Sequence, residues 1–296
     1  MRSTRIPRGL PRFDAAAMAE LAARLTPRDY DILAHLHEHR VLTTHQIQRI
    51  FFAIPQSTRR RMGILHKLHT VTRFRPWTPY GGSAPNHWIL GRAGAELLAI
   101  REGVTVKEFG YHPDLAMSIS VSTKTGHQVG VNDFFADLHY QARHARAETS
   151  AEVLAWWSEK RCAKLWGDLA RPDAYGRWAE NGRVIDFFLE HDTGTESLNK
   201  VAAKLPDYAE LADATQITTP VLLWLPSRAR ETNLRRLLAN VEVPVATAIH
   251  TSLGDGPAGP VWLPVNHDGP RLRLAELADA WPDLAHPATK QDEIDA

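Results

Sequence analysis

Residues 171–192 read RPDAYGRWAENGRVIDFFLEHD, and this stretch predicts the β-hairpin around which the rest of the fold is arranged. Asn181-Gly182 is a strong signal for a two-residue type I′ turn, because both central positions of that turn need a positive φ angle. A turn at these two residues places Glu180 opposite Arg183 and thereby fixes the pairing of the two arms.

The same register brings two carboxylates together. Counting outward along both arms places Asp173 directly opposite Glu190. Cross-strand neighbours have Cβ atoms about 4.5–5.5 Å apart, and like charges at that distance are destabilising unless something compensates them. The hairpin therefore predicts a bound cation.

Side chains alternate across a strand, so the register also divides the hairpin into two faces. One face is predicted to belong to the core, and it carries Ala174, Trp178, Ile185, Phe187 and Leu189. The other is predicted to be the functional face, and it carries the two carboxylates together with Tyr175, Arg177, Asp186 and Phe188.

The composition is that of a globular protein whose two halves differ in charge. The chain has 296 residues, of which 44% are hydrophobic and 23% charged, so it can form two domains or one large one. Residues 1–80 hold 14 Lys and Arg against 5 Asp and Glu, a net charge of +9, whereas residues 81–296 sum to −8. One cysteine excludes an intrachain disulfide. Since no apolar run of about 18 residues and no secretory signal is present, we expect a cytoplasmic protein without a membrane partner.

The basic N-terminal half has the element order of a winged helix-turn-helix domain. Helices are predicted after the caps Thr26, Thr44 and Ser57 or Thr58, followed by two strands around a Gly- and Pro-rich loop and by a fourth helix. In such domains the third helix enters the major groove of DNA and the hairpin wing lies along the backbone. Double-stranded DNA is therefore the predicted partner, contacted through Arg59, Arg60, Arg61, Lys67, Arg73 and Arg75.

The C-terminal half predicts a mixed sheet flanked by helices, in the order α-β-β-β-α-β-α-β. A capping box from Thr193 to Glu196 is expected to open the helix after the hairpin. The chain as a whole is predicted to be a mixed α/β (α+β) protein. Its expected parts are a flexible basic arm (1–24), a winged helix-turn-helix domain (25–103), a linker (104–126), an α/β domain (127–251) and a C-terminal extension (252–296).

An αβββαβ core with Pro172-Asp173 on its second strand and Glu190-His191-Asp192 on its third resembles the PD-(D/E)xK nuclease superfamily. The resemblance implies a restriction-endonuclease-like fold in which two carboxylates hold Mg²⁺, which activates water and stabilises charge on the scissile phosphate. In that superfamily a lysine follows the second acid by two residues, and here Asp192 stands at that position.

The resemblance also implies roles for particular residues. Members of the superfamily are known to move the lysine to the following helix, so Lys200 or Lys204 would substitute for it and join Asp173 and Glu190 as catalytic residues. The implied metal ligands are Asp173, Glu190 and Asp192. The alternative is an inactive nuclease-like fold kept for binding or dimerisation, in which Arg161, Arg171 or a lysine neutralises the acidic pair.

Tracts in both halves carry a narrower resemblance. They are LTPRDYDILAHLHEHRVLTTHQIQRIFF (25–52), STRRRMGILHKLHTVTRFRP (57–76), RPDAYG (171–176) and FFLEHDTGTESLNKVAAKLPDY (187–208). Together, over roughly residues 25–225, they resemble the replication-relaxation family, which is associated with plasmids and other mobile elements of bacteria. This resemblance implies DNA transactions more than any one reaction.

Three functions remain open at this point. The first is a DNA-binding protein of a mobile element that acts in replication, maintenance or regulation, with replication or mobilisation proteins as further partners. The second is an Mg²⁺-dependent DNA endonuclease using Asp173 and Glu190. The third is a winged-helix transcription repressor, which predicts a palindromic operator and a stable homodimer without a metal.

Overall fold

A computed structural model describes residues 14–77, 84–145, 149–250, 256–281 and 284. The chain divides into two compact units, of which the first comprises residues 1–44 and 51–122 and the second residues 45–50 and 123–296. Both contain helices and strands, and the second holds a mixed sheet, so the predicted α+β class is confirmed. Within the described ranges, every helix is too short or too polar to cross a lipid bilayer.

In the first unit, helices pack around a small antiparallel sheet. The helices up to residue 122 are α1 (Ala15–Ala23), α2 (Pro27–His39), α3 (Thr44–Phe51), α4 (Pro55–Lys67), α5 (Arg92–Arg101) and α6 (Pro113–Ser118). The strands are β1 (Leu42–Thr43), β2 (Val71–Phe74) and β3 (His87–Leu90), with β3 between the other two. This confirms the predicted order of three helices, a hairpin and a helix, and adds β1, while the hairpin tip at 78–83 lies outside the described residues.

Helix α1 corrects the prediction of a flexible arm over residues 1–24. Asp14 caps the helix by accepting a backbone N–H hydrogen bond, and Met18 and Leu21 are buried against α5. The basic residues before Asp14 suggested an arm, whereas the Ala-rich segment after it has a high helix propensity. Residues 1–13 lie outside the described part of the chain.

The second unit is a six-stranded mixed sheet with helices on both faces. Its strands, in their order across the sheet, are β4 (Ala151–Ser158), β5 (Ala174–Glu180), β6 (Arg183–His191), β7 (Val221–Leu225), β8 (Val245–Ile249) and β9 (Leu263–Pro264). Strand β5 is antiparallel to β4 and β6, β7 is parallel to β6 and β8, and β9 is antiparallel to β8. Its helices are α7 (Thr125–His144), α8 (Glu159–Trp166), α9 (Leu198–Ala202), α10 (Leu205–Thr215), α11 (Arg228–Leu237) and α12 (Leu277–Ala280).

The hairpin of β5 and β6 has the predicted register. Asn181 and Gly182 have φ angles of 52° and 80°, as a type I′ turn requires. The strands pair without interruption from Glu180 opposite Arg183 to Ala174 opposite Leu189. Because β5 begins at Ala174, the carboxylate of the preceding residue lies just beyond the last paired position.

Both faces of this hairpin are buried, so the face that was predicted to be functional also belongs to the core over most of its length. On the first face Phe134 and Phe135 of α7 contact Phe187, with ring centroids 5.9 Å and 6.1 Å away. On the second face Tyr175 and Phe188 belong to a core cluster with residues of α8, α9, α10 and α11. Strands in the interior of a sheet are covered on both sides when helices flank both faces, and a hairpin considered alone does not reveal this.

Several boundaries of elements also differ from the prediction. Helix α8 was not predicted, because its eight residues are fewer than the about 11–18 over which a helical period is recognised. The helix after the hairpin begins at Leu198 with Ser197 as its cap, rather than at Thr193. It ends at Ala202, and Lys204 is the cap residue before α10, so Lys200 and Lys204 do not lie on one continuous helix.

The predicted limits of the α/β domain are too narrow. The expected linker, 104–126, contains α6 and the start of α7. The expected C-terminal extension, 252–296, contributes β9 to the sheet and α12, while 251–255, 282–283 and 285–296 lie outside the described residues.

Helix α3 also departs from the predicted domains, since its residues 45–50 belong to the second unit. Gln46 is buried and donates from its side-chain amide to the carbonyl oxygen of Val129 at 2.8 Å and to Asp133 at 2.9 Å. Arg49 forms ion pairs with Asp133 and Asp137 on α7. The contacts of Gln46 and Arg49 with α7 are polar. A sequence analysis that follows apolar residues therefore does not reveal that α3 belongs with the second unit.

Candidate functional site

The acidic residues of the hairpin lie at one end of the sheet, where the ends of the adjacent strands β4, β5 and β6 lie side by side. Ser158, the last residue of β4, pairs with Ala174, the first of β5, and Ala174 pairs with Leu189 near the end of β6. Asp173 precedes and Glu190 follows this line of paired residues. The strand ends therefore hold both predicted carboxylates in the same region, and we call Asp173, Glu190 and the side chains that contact them the carboxylate centre.

Asp173 is held by two hydrogen bonds that the sequence did not suggest. It accepts from the backbone N–H of His191 at 2.8 Å, and its other oxygen lies 2.9 Å from Nε2 of His127, in the first turn of α7. Burial lowers the pKa of His127, but the hydrogen bond and the charge of Asp173, with smaller contributions from Glu159 and Glu190, outweigh burial and leave that pKa above its ordinary value. His127 therefore tends to carry a positive charge against Asp173.

Glu190 is buried and contacts one cation and one hydroxyl group. Lys204 donates from Nζ to one carboxylate oxygen at 2.5 Å, and the hydroxyl of Tyr208 donates to the other. Burial and then the charge of Asp173 raise the pKa of Glu190 to about 7, against the opposing effects of Lys204 and Tyr208. Two carboxylates share this region with one lysine beside Glu190, so an additional cation would stabilise the ionised form of Glu190.

The structure distinguishes the two candidate lysines. Lys204 contacts Glu190, whereas Lys200 is exposed on α9. Burial lowers the pKa of Lys204, but the charge of Glu190 and the hydrogen bond to it outweigh burial and raise that pKa. Tyr208 stands four residues after Lys204, a spacing that places two side chains on the same helix face, and this spacing could have identified it from the sequence.

Asp192, at the usual lysine position, forms an ion pair away from Glu190. Arg230 of α11 contacts both of its oxygens, with Nη2 3.0 Å from Oδ1, and the N–H of Gly194 donates to Oδ1 at 2.7 Å. Arg230 also donates to the carbonyl oxygen of Glu196 at 2.6 Å. Asp192 thus fixes the loop that leads into α9, and its role as a metal ligand remains a prediction.

The two arginines expected to neutralise the acidic pair have other contacts. The guanidinium of Arg161 lies over the ring of Trp157, 4.3 Å from its centroid. Arg171 donates from Nε to the carbonyl oxygen of Gly167 at 2.8 Å. The cation that contacts Glu190 is the lysine before α10.

Asp173 and Glu190 offer carboxylate oxygen atoms, the ligand type that Mg²⁺ prefers. An ionised carboxylate offers about four lone-pair positions, and the hydrogen bonds described above use two on each group. Among the described residues no group of three or more His, Cys, Asp or Glu side chains is arranged to hold a metal ion. Mg²⁺ is commonly held by one or two carboxylates, with substrate phosphates and water completing its coordination, and a magnesium site at these two residues remains a prediction.

Gly130 allows α7 to approach the residue that follows Glu190. A Cβ atom at Gly130 would lie 2.1 Å from Nε2 of His191, whereas one at Gly126 on the same helix would meet nothing within 4 Å. We expect Gly130→Ala to lower the free energy of unfolding by about 1–3 kcal/mol, because the ring has to move in a packed interior. Gly126→Ala, the matched control, should raise it by up to about 1 kcal/mol through helix propensity. Urea denaturation followed by circular dichroism measures both, and equal effects would contradict the contact with His191.

The predicted DNA contacts of the first unit fall into two groups. Arg59, Arg60 and Lys67 are exposed on α4. Arg61 is half-buried, donates from Nε to Asp29 at 2.8 Å, and donates to the carbonyl oxygen of Arg24 at 3.1 Å. The structure therefore gives Arg61 a role within the fold.

The arginines of the predicted wing are exposed. Arg73 lies over the ring of Trp88, 5.6 Å from its centroid, and Arg75 donates from Nε to Asn86 at 2.8 Å. Both contacts orient the side chains on the described part of the hairpin.

Comparison with known proteins adds one match. The curated proteins and the solved structures contain no match to this chain. The sequence profile of the replication-relaxation family matches residues 33–222, which is more than half of the chain and includes α4, the hairpin and the carboxylate centre. The chain belongs to the replication-relaxation family.

Proposed function

We propose that the chain is a DNA-binding protein that acts in the replication or mobilisation of a plasmid or another mobile element. Membership of the replication-relaxation family suggests that biological setting. In this proposal the segment 25–103, which holds α2 to α5, is a winged helix-turn-helix domain that reads duplex DNA, and the six-stranded sheet with its helices is a PD-(D/E)xK nuclease-like domain.

The observation that carries DNA binding is the exposed cationic face of α4. The element order α2, β1, α3, α4, β2, β3 with β3 in the middle of its sheet matches the winged arrangement, in which the third helix enters the major groove. Arg59, Arg60 and Lys67 are exposed on that helix. Their positive charge suits phosphate contacts, which supply most of the salt-dependent affinity for DNA.

A salt-dependent titration tests this proposal. Each phosphate contact contributes about 0.9 to the slope of log K against log salt concentration. Replacing Arg59, Arg60 and Lys67 together by Ala should therefore weaken binding to duplex DNA and reduce the slope by about 3. The matched control is Arg101→Ala with Lys107→Ala, which removes two exposed cations from the same unit. An unchanged slope in the α4 variant would contradict the proposal.

A second candidate function is Mg²⁺-dependent cleavage of DNA, and the contact of Lys204 with Glu190 favours it. This contact supplies the cation that Asp192 does not supply. Bound Mg²⁺ would polarise the phosphodiester and lower the pKa of a water molecule. Asp173 and Glu190 would hold the ion, and the hydrogen bonds of His127 and Tyr208 would keep the two carboxylates oriented.

Cleavage of plasmid and linear DNA with Mg²⁺ or Mn²⁺ tests this second function. Asp173→Asn should lower the rate by about 10²–10³-fold, the loss typical of removing one group that stabilises charge in the transition state. Asp168→Asn, at an exposed position before the hairpin, is the matched control and should leave the rate unchanged. Undiminished cleavage by Asp173→Asn would show that this centre is not the active site.

The dimeric repressor remains a prediction beside these two. It requires a palindromic operator and a stable homodimer in the absence of metal. Sedimentation of the full chain with and without duplex DNA measures the oligomeric state and separates this alternative from a monomeric DNA-binding protein.

A further inference from the structure

Helix α8 begins at the same end of the sheet as the carboxylate centre. Glu159 follows Ser158 at the end of β4, just as Asp173 precedes Ala174 at the start of β5, and Ser158 pairs with Ala174. Helix α8 also contacts both β4 and β5. The charge of Glu159 acts on His127, which lies 2.9 Å from Asp173. The first turn of α8 is therefore a neighbour of the centre.

The outward face of α8 is cationic. Lys160, Arg161 and Lys164 are exposed, and their spacing of three and four residues places them on one face of the helix. Cys162 lies on the opposite side, fully buried in the core cluster of the second unit, and Trp166 packs against that cluster. The helix is thus anchored from beneath and presents the three cations outward; we call these three side chains the α8 cationic face.

In the described part of the chain, these three neighbouring cations have no acidic partner, unlike seven other basic residues of the second unit. Across the described ranges, none of the three forms an ion pair with Asp or Glu. In contrast, ion pairs hold Arg49, Arg177, Arg183, Lys204, Arg230, Arg271 and Arg273. Residues 81–296 carry a net charge of −8, so a cationic face without acidic partners in this part of the chain indicates an anionic ligand.

The arrangement of Arg161 suits a nucleic acid. Its guanidinium lies 4.3 Å from the centroid of the Trp157 ring, which restrains the side chain before any ligand binds. Trp157 in turn packs against Tyr175 and Trp166, at 4.5 Å and 5.7 Å between ring centroids. A row of cations with one guanidinium fixed on an aromatic ring is the kind of surface that binds a phosphodiester backbone.

We propose that the α8 cationic face binds the DNA backbone beside the carboxylate centre and forms a second DNA-binding surface in addition to α4. This inference rests on the proposed function and extends it to the second unit. The carboxylates repel a polyanion, and adjacent cations offset that repulsion while the strand is held. An acidic protein is the competing ligand for the same charges, and the experiment distinguishes it from DNA.

The test is a DNA titration of the full chain with Lys160, Arg161 and Lys164 all changed to Ala. Three lost phosphate contacts should reduce the salt slope by about 3 and weaken binding at moderate salt. Arg228→Ala with Arg236→Ala is the matched control, because it removes two exposed cations from α11 of the same unit. Lys160→Arg with Lys164→Arg keeps the charge and should bind as the parent chain does.

A photo-crosslinking residue in place of Leu165, which is exposed on α8, should form an adduct with labelled DNA. If the α8 variant keeps the parent slope and the adduct is absent, while the α4 variant loses affinity, DNA binding by the first unit stands and this inference is wrong. That result would assign the α8 cationic face to another anionic partner, such as an acidic protein. If the parent chain binds no DNA at any salt concentration, both the proposed function and this inference are wrong.

Discussion

Lys204→Ala is expected to lower metal-dependent DNA cleavage by about 10²–10³-fold, whereas Lys200→Ala should leave the rate nearly unchanged. The reason is the contact between Nζ of Lys204 and the buried carboxylate of Glu190 at 2.5 Å, while Lys200 is exposed on α9. The two lysines are four residues apart in sequence, so the pair forms a matched comparison within one segment.

Single-turnover rates at saturating DNA and Mg²⁺ are the measurement, since they separate cleavage from binding. Removing Lys204 also leaves Glu190 buried without its cation, which costs stability. Both variants therefore need a denaturation curve, and rates should be compared at a temperature at which both are folded. Equal losses in the two variants would contradict a specific role for Lys204, and a larger loss for Lys200→Ala would assign that role to α9.

Arg61→Ala is expected to lower the free energy of unfolding by about 2–3 kcal/mol, because it leaves the carboxylate of Asp29 buried without its charged partner. Asp29 is fully buried and also closes the capping box at the start of α2, where it accepts the N–H of Thr26 at 2.7 Å. Arg60→Ala removes an exposed neighbour and should change stability by no more than about 0.5 kcal/mol. Urea denaturation of the two variants provides the comparison.

The effect of Arg61→Ala should depend on pH in a defined direction. Burial raises the pKa of Asp29, but its hydrogen bonds with Arg61 and Thr26 outweigh burial and leave that pKa below the ordinary value of 3.8. A carboxyl group whose pKa is lower in the folded state than in the unfolded state stabilises the fold at pH values above its unfolded-state pKa. This stabilisation is lost as the pH falls through the folded-state pKa. The difference between parent and variant should therefore be largest near neutral pH and shrink in acid. A difference that does not change with pH would mean that the ion pair contributes little.

The hairpin was predictable because its information is local. Asn181-Gly182 permits one tight turn, and the alternation of side chains then fixes every pair back to Ala174 and Leu189. The contact between Lys204 and Glu190 was one of two options that the sequence left open. Choosing between them required the helix break before Lys204, which depends on how α9 and α10 pack in three dimensions.

The rest of the carboxylate centre was not predictable because its contacts join distant parts of the chain. His127 precedes Asp173 by 46 positions and has no neighbouring motif, and Arg230 reaches Asp192 from α11. Helix α8 has only eight residues, which is shorter than the window over which a helical period is recognised. In the first unit, Arg59, Arg60 and Arg61 look equivalent in sequence, and only the buried position of Asp29 distinguishes the third.

The hydrogen bond from the backbone amide of His191 to Asp173 provides a main-chain signal that reports on the carboxylate centre. This amide stands at the end of a strand in the middle of the sheet, yet its acceptor is a carboxylate side chain. Its nitrogen and proton resonances and its rate of exchange with deuterium will therefore respond to whatever approaches that carboxylate. Binding of a metal ion at Asp173 can therefore be followed through the amide of His191, without mutating a residue of the carboxylate centre and without measuring DNA cleavage.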